Sequence, residues 1–316
     1  MIIEQSKQII EEIEKVIAGK REIIEKVLMT IYASGHILLE DNPGVGKTTL
    51  AVAFSRALGM DCKRVQFTPD TMPSDIVGFT MYNSQSEQFK FEEGAVFTNL
   101  FLGDEINRTS AKTQSALLEA MEERSVTIDG VHHDLPSPFI CIATQNPEGS
   151  AGTQPLPESQ LDRFMVRLSI GYPGTEQQIE IIKKRLYTNP MDDMKTVASC
   201  EDVLYVQKYL SMIRISDELI MYIVKLCEET REHEMVELGV SPRGILALVR
   251  MARACAIIRS RDYVIPEDVQ YVFNDVCCHR IVLKPQARIE NITANEILNG
   301  IKNKIAVPDM GLKKRK

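Results

Sequence analysis

Three absences narrow what this sequence can be. There is no excess of positive charge: 37 Lys and Arg against 44 Asp and Glu leave a formal net charge of −7. A general nucleic-acid binder needs a positive field over much of its surface, so nucleic acid is not an expected partner. The one dense basic run, Lys313-Lys314-Arg315-Lys316, reads as a solvated tail. There is no apolar stretch of membrane length. Met1 to Lys15 alternates charge with Ile instead of forming an unbroken apolar block, so neither a membrane span nor a signal peptide is expected, and the expected location is the cytoplasm. The seven Cys follow no repeated C-x-x-C frame, which points to reduced thiols. Adjacent Cys277-Cys278-His279 make a poor metal site, because consecutive residues on a helix point about 100° apart.

What is present is an ordinary globular composition, 44% hydrophobic and 26% charged, over 316 residues, enough for two domains. The stretch Glu40-Asp41-Asn42-Pro43-Gly44-Val45-Gly46-Lys47-Thr48-Thr49-Leu50 organises it. It follows an apolar strand signal, Ile37-Leu38-Leu39, and opens an amphipathic helix signal, Thr48 to Leu58. In such a strand-loop-helix, Gly44 and Gly46 let backbone N–H groups turn inward around phosphate, and the helix N-terminus adds its dipole. Lys47 would reach the β- and γ-phosphates and Thr48 would offer its hydroxyl to Mg²⁺. The full pattern asks for a further Gly where this chain has Asp41. A carboxylate facing phosphate would repel it by a few kcal/mol, on the order given by Coulomb's law at reduced dielectric. Facing water, it would cost little.

Residues 62–66, which read as a short strand despite Lys63-Arg64, and the mostly apolar runs at 100–103, 139–144 and 166–170 supply four more strand signals with helical segments between them. Five such strands indicate an α/β core with a parallel sheet, which binds ligands at strand C-terminal ends. The third run ends in Asp104-Glu105. The first carboxylate is suited to the metal shell and the second to orienting or deprotonating a water. The fourth delivers Gln145-Asn146, where Asn146 is either a γ-phosphate or water contact or an ordinary turn residue. Gln66 could touch the catalytic carboxylate, although an exposed Gln is the commoner explanation. His36, at the entrance to the first strand, suits a hydrogen-bonding role better than catalysis.

Residues 68–97 are too long for a simple connection and carry a hairpin pattern, 79–82 with 88–91, so they read as a projecting insertion. Asp129-Gly130 suits a type I′ turn between 125–128 and 131–133. His132 and His133 would then face opposite sides of a strand. Beyond Gly171-Tyr172-Pro173-Gly174 the period is helical: 176–187, 201–210, 217–232, 242–259 and 266–282. Arg243, a cation in a helix's first turn, either faces a phosphate or is simply exposed.

The order of these motifs resembles the MoxR family of AAA+ ATPases over nearly the whole chain. The resemblance rests on Gly35 to Glu40, Phe67 to Asp70, Pro73 to Asp75, Asp104 to Arg108, Gln114 to Arg124, Ala143 to Pro147, Leu156 to Glu158, Leu161 to Phe164 and Ser241 to Arg243. It implies a P-loop NTPase core over 1–171, with an insert at 68–97 and a hairpin at 125–135. A C-terminal all-helical lid over 172–305 and a basic tail over 306–316 would follow. It implies a Walker A loop whose Asn42, Pro43, Gly44, Val45, Gly46, Lys47, Thr48 and Thr49 bind ATP, with Mg²⁺ at Thr48 and Asp104. Glu105 would be the catalytic carboxylate, Asn146 sensor 1, Arg163 an arginine finger acting on a neighbouring copy, and Arg243 sensor 2 acting in cis. The family resemblance further implies a homo-oligomeric ring, expected to be a hexamer, that remodels or matures a client protein complex with a separate von Willebrand factor A domain protein. A chelatase-type or DNA-directed AAA+ motor and an ATP-binding scaffold with weak turnover stay open as alternatives.

Overall fold

The computed structural model describes residues 2–85, 87–146, 153–186 and 189–308. Pro147, Tyr187 and the basic run 313–316, which entered the expectations above, lie outside the described residues. At the centre is a five-stranded sheet in the spatial order Cys62–Gln66, Leu100–Asp104, Ile140–Gln145, Ile37–Glu40, Val166–Leu168. Every neighbouring pair is parallel. Leu100–Asp104 and Ile140–Gln145 are buried at every position, as strands covered on both faces must be. Cys62–Gln66 carries Lys63 and Arg64 in the open, which only an edge strand tolerates.

Alternation sorts the strand side chains onto two cores. Ile37, Leu39, Leu100, Leu102, Ile140 and Ile142 face helices Ile2–Glu14, Arg21–Tyr32 and Lys47–Ala57. Leu38, Phe101, Cys141 and Ala143 face helix Ala111–Glu123 through Leu117, Leu118 and Met121. The first core runs on without a break into helices Asp217–Glu232, Pro242–Ile258 and Pro266–Cys277. A salt bridge from Lys26 to Asp275, 2.7 Å, fastens the second N-terminal helix to this C-terminal layer.

The insertion is a short helix, Pro73–Val77, and an antiparallel hairpin, Gly78–Asn83 with Gln88–Glu93. Its base is a close backbone approach: a Cβ on Gly94 would sit 2.3 Å from the nitrogen of Gly78. The second hairpin, Ser125–Ile128 with Val131–Asp134, turns through Asp129 and Gly130, both at positive φ (50° and 80°), as a type I′ turn requires. His132 pairs with Asp134 and His133 stacks on Phe91 of the insertion, ring centroids 3.9 Å apart.

The C-terminal region is helical, and it also holds a short antiparallel ribbon, Val236–Leu238 with Val282–Leu283, which the helical period did not reveal. Helix Pro266–Cys277 stops five residues before the expected end because His279 and Arg280 turn inward onto the carbonyl of Phe164. Those contacts fix the lid against the residues that lead into the Val166–Leu168 strand.

Candidate nucleotide and metal site

The phosphate loop leaves the C-terminal end of Ile37–Glu40, and Gly44 and Gly46 adopt φ of 85° and 98°. No atom lies within 4 Å of where a Cβ would stand on either, so the loop's glycines border open space. Lys47 begins the helix and is buried; its Nζ donates to the Asp41 carbonyl, 2.6 Å. Burial lowers the Lys47 pKa, against the opposing pull of Asp41, Asp104, Glu105 and Glu40.

Asp41 neither faces the loop interior nor water. Its carboxylate is buried and accepts hydrogen bonds from Ser169 Oγ (2.9 Å), the Ile170 amide and the Gly171 amide (3.2 Å). Nor does Asp41 have a positive φ among the described residues. The missing glycine is replaced by a carboxylate that stitches the phosphate loop to the chain leaving the last strand.

Asp104 ends the strand Leu100–Asp104 and Glu105 follows it, with Ile140–Gln145 standing between that strand and the one that leads into the loop. Thr48 Oγ donates to Asp104 Oδ2 (3.3 Å) and Thr144 Oγ to Asp104 Oδ1 (3.3 Å). These hard oxygen donors fit Mg²⁺, which takes one or two protein oxygens beside phosphates and waters. Glu105 sits in the left-handed region, φ 59° and ψ 50°, a conformation costing a non-glycine residue about 1–2 kcal/mol. Its amide donates to Thr144 Oγ, 2.9 Å, which helps hold that backbone. The Glu105 side chain accepts from Gln66 (2.9 Å), Arg108 (2.9 Å) and Asn146 (3.1 Å). Burial pushes its pKa up, but the hydrogen bonds from Arg108 and Asn146 and the charges of Arg108 and Lys47 carry it below the ordinary range. The group is a carboxylate at neutral pH, as a water-orienting base must be.

Lys47, Thr48, Asp104, Glu105 and Asn146 are therefore together. Arg163 and Arg243 are not with them. Both contact Glu122, Arg163 at 3.3 Å, at the other end of the sheet. That end is marked by Met165, whose amide donates to the His36 carbonyl, and by Met121, whose carbonyl contacts His36 Nε2. The five residues from His36 to Asp41 span roughly 16 Å of extended chain. Arg243 thus stands away from this chain's own phosphate loop, beside which the resemblance had implied a cis role. The reason is the lid's docking: Ser241 Oγ donates to Asp162 (3.0 Å), and Arg280 donates to Asp162 (2.7 Å) and to the Met165 carbonyl (3.0 Å).

Sequence reading did not single out Arg64, Arg108, Glu122 or Thr144 as site residues. Arg64 and Gln66 stand two apart on a strand beside the Asp-Glu strand, hence on one face, and that spacing was the available signal. His36 is structural: Nδ1 accepts the Cys141 amide, and burial lowers its pKa to about 4.

The sheet order, the loop and the paired carboxylates define a P-loop ATPase fold of the AAA+ class with a C-terminal helical lid. The family model described as "ATPase family associated with various cellular activities (AAA)" matches residues 36–166, and that of the AAA lid domain matches residues 228–301. The uncharacterized protein YeaC of Bacillus subtilis (strain 168) is 45% identical over 95% of this chain and 93% of its own length. Chaperone MoxR1 of Mycobacterium tuberculosis is 40% identical over 95% of this chain and 81% of its own. A solved structure from Cytophaga hutchinsonii superposes with a TM-score of 0.90 at 37% identity, covering 98% of this chain and 96% of that one. Magnesium-chelatase subunits match more distantly. The chain belongs to the MoxR family of AAA+ ATPases.

Proposed function

We propose that this chain binds ATP with Mg²⁺ through residues 42–49 and Asp104 and hydrolyses it at interfaces between copies in a ring, taken here as a hexamer. Magnesium would supply charge neutralisation of the phosphate oxygens. Lys47 and the loop amides would hold the β- and γ-phosphates, Thr48 and Asp104 would hold the metal, Asn146 and Glu105 would position a water, and Glu105 would take its proton. The carrying observation is the grouping of Arg163 with Arg243 at the sheet end remote from their own phosphate loop, where both pair with Glu122. Both arginines are thereby free to serve the γ-phosphate of an adjoining copy. An arginine so supplied is worth about 10³ or more in rate.

The work done with that turnover is chaperone-like remodelling or maturation of a client complex in the cytoplasm, with a separate von Willebrand factor A domain protein as partner. The insertion hairpin supports this, since it exposes Phe79, Met81, Tyr82 and Phe89, an apolar surface that a client could cover. No helix among the described residues is long and apolar enough to cross a membrane. The division at 171/172 remains our working boundary between core and lid, with 306–316 as tail. The inward stitch made by Asp41 gives no support to a weakly hydrolysing scaffold. Mixing Lys47→Ala chains with Arg163→Ala chains tests the shared site. Each alone is expected to be inactive, and the mixture recovers turnover because one supplies the arginine and the other the loop. A mixture that stays inactive, from chains that still assemble, refutes the reading.

A further inference from the structure

The edge strand contributes a residue to the site whose charge is the wrong sign for it. Arg64 Nε donates to Asp104 Oδ2 at 2.6 Å, the same oxygen that Thr48 Oγ reaches at 3.3 Å. Thr48 and Asp104 are the two residues that fit the metal, so the guanidinium stands on a lone pair the metal shell would use. An arginine cannot give up its proton to relieve the conflict. It can move: its side chain is 52% exposed, on a strand at the sheet's edge, and its other contact is a long one to Gln66 Oε1, 3.4 Å.

We propose that Arg64 is a built-in counter-ion for Asp104, a positioning residue that must leave this carboxylate when magnesium is bound there, and so sets how much magnesium the site requires. The inference rests on the ATPase reading above. Holding Asp104 in place with a tethered cation keeps a buried carboxylate paired whenever no metal is bound, and the cost is competition with the ion. Through Gln66, which also donates to Glu105, the same movement loosens one of the three donors on the catalytic carboxylate. Lys63, the adjacent cation, points elsewhere: its Nζ donates to the Gly94 carbonyl, 3.4 Å.

The test is equilibrium binding of a fluorescent ATP analogue to the full chain, titrated with magnesium and repeated in EDTA. A half-exposed ion pair is worth up to about 1 kcal/mol, so Arg64→Ala is expected to lower the half-saturating magnesium concentration by about three- to fivefold. Nucleotide affinity in EDTA should not change, and Lys63→Ala should leave both quantities alone. Arg64→Gln, of similar length and neutral, serves if the alanine variant is poorly folded, with the same expectation. An unchanged or raised magnesium requirement overturns the inference. So does an equal lowering in Lys63→Ala, which would make net charge the cause, or a loss of affinity in EDTA, which would put Arg64 on the phosphates. A native chain that binds no nucleotide at all brings down the ATPase reading and this inference with it, whereas a magnesium-dependent native chain with an indifferent Arg64→Ala brings down only the latter.

Discussion

Replacing Asp41 separates two physical pictures of the phosphate loop. If the carboxylate acts by repelling phosphate, Asp41→Ala should tighten ATP binding. The structure predicts the opposite. The Asp41 carboxylate caps the amides of Ile170 and Gly171 and accepts a hydrogen bond from the Ser169 hydroxyl. Ile170 is buried and Gly171 half-buried, so removing the acceptor strands at least one amide away from water. Each stranded group costs about 1–3 kcal/mol, and the two together give an expected loss of about 2–4 kcal/mol in unfolding free energy. Asp41→Asn should lose nearly as much, since its amide nitrogen would confront N–H donors. Urea denaturation gives the stability and titration with a fluorescent nucleotide gives the affinity. The loop loses its tie to the last strand, so affinity should fall or stay level. Tighter binding in Asp41→Ala, or stability within about 0.5 kcal/mol of the native chain, the range of ordinary surface changes, would refute the stitch.

Glu105→Gln should retain nucleotide binding and lose nearly all turnover, measured as phosphate release, because the amide cannot take the proton; undiminished turnover would count against Glu105 as the base. Lys26→Met should destabilise the chain by about 3 kcal/mol by leaving Asp275 buried without its partner, and Asp275→Leu added to it should restore most of the loss. Stability should fall as pH drops from about 6.5 toward 4, because His36 is held neutral with a pKa of about 4 while its unfolded counterpart takes a proton. The His36 share, up to about 3 kcal/mol, is present above pH 6.5; it is read as the pH-dependent difference from His36→Gln, and parallel curves would exclude it.

Much of the site was legible as local chemistry. Gly44, Gly46, Lys47 and Thr48 announce a phosphate loop because only glycine takes those positive φ values cheaply, and Asp104-Glu105 follows an apolar run whose length marks a strand. Asp41 was not legible. Its partners lie 128 to 130 residues away, and a carboxylate beside a phosphate loop can be judged only when its direction is known. Arg108, Thr144 and Arg64 escaped for a like reason, being ordinary residues until the parallel register sets them against the two carboxylates.

The helical period likewise placed helices 217–232 and 242–258 but missed the ribbon of Val236–Leu238 with Val282–Leu283, whose two- and three-residue strands are too short to show alternation. By itself the sequence determined the fold class and the glycine loop and paired carboxylates that the sheet brings together, because periodicity and turn chemistry act within about one element's length. Tertiary structure alone decided which end of the sheet Arg243 occupies and where the Asp41 carboxylate points. The first depends on how Ser241 and Arg280 dock against Asp162 and Met165, the second on Ser169, Ile170 and Gly171 meeting Asp41, contacts between segments that the chain separates by 79 residues or more.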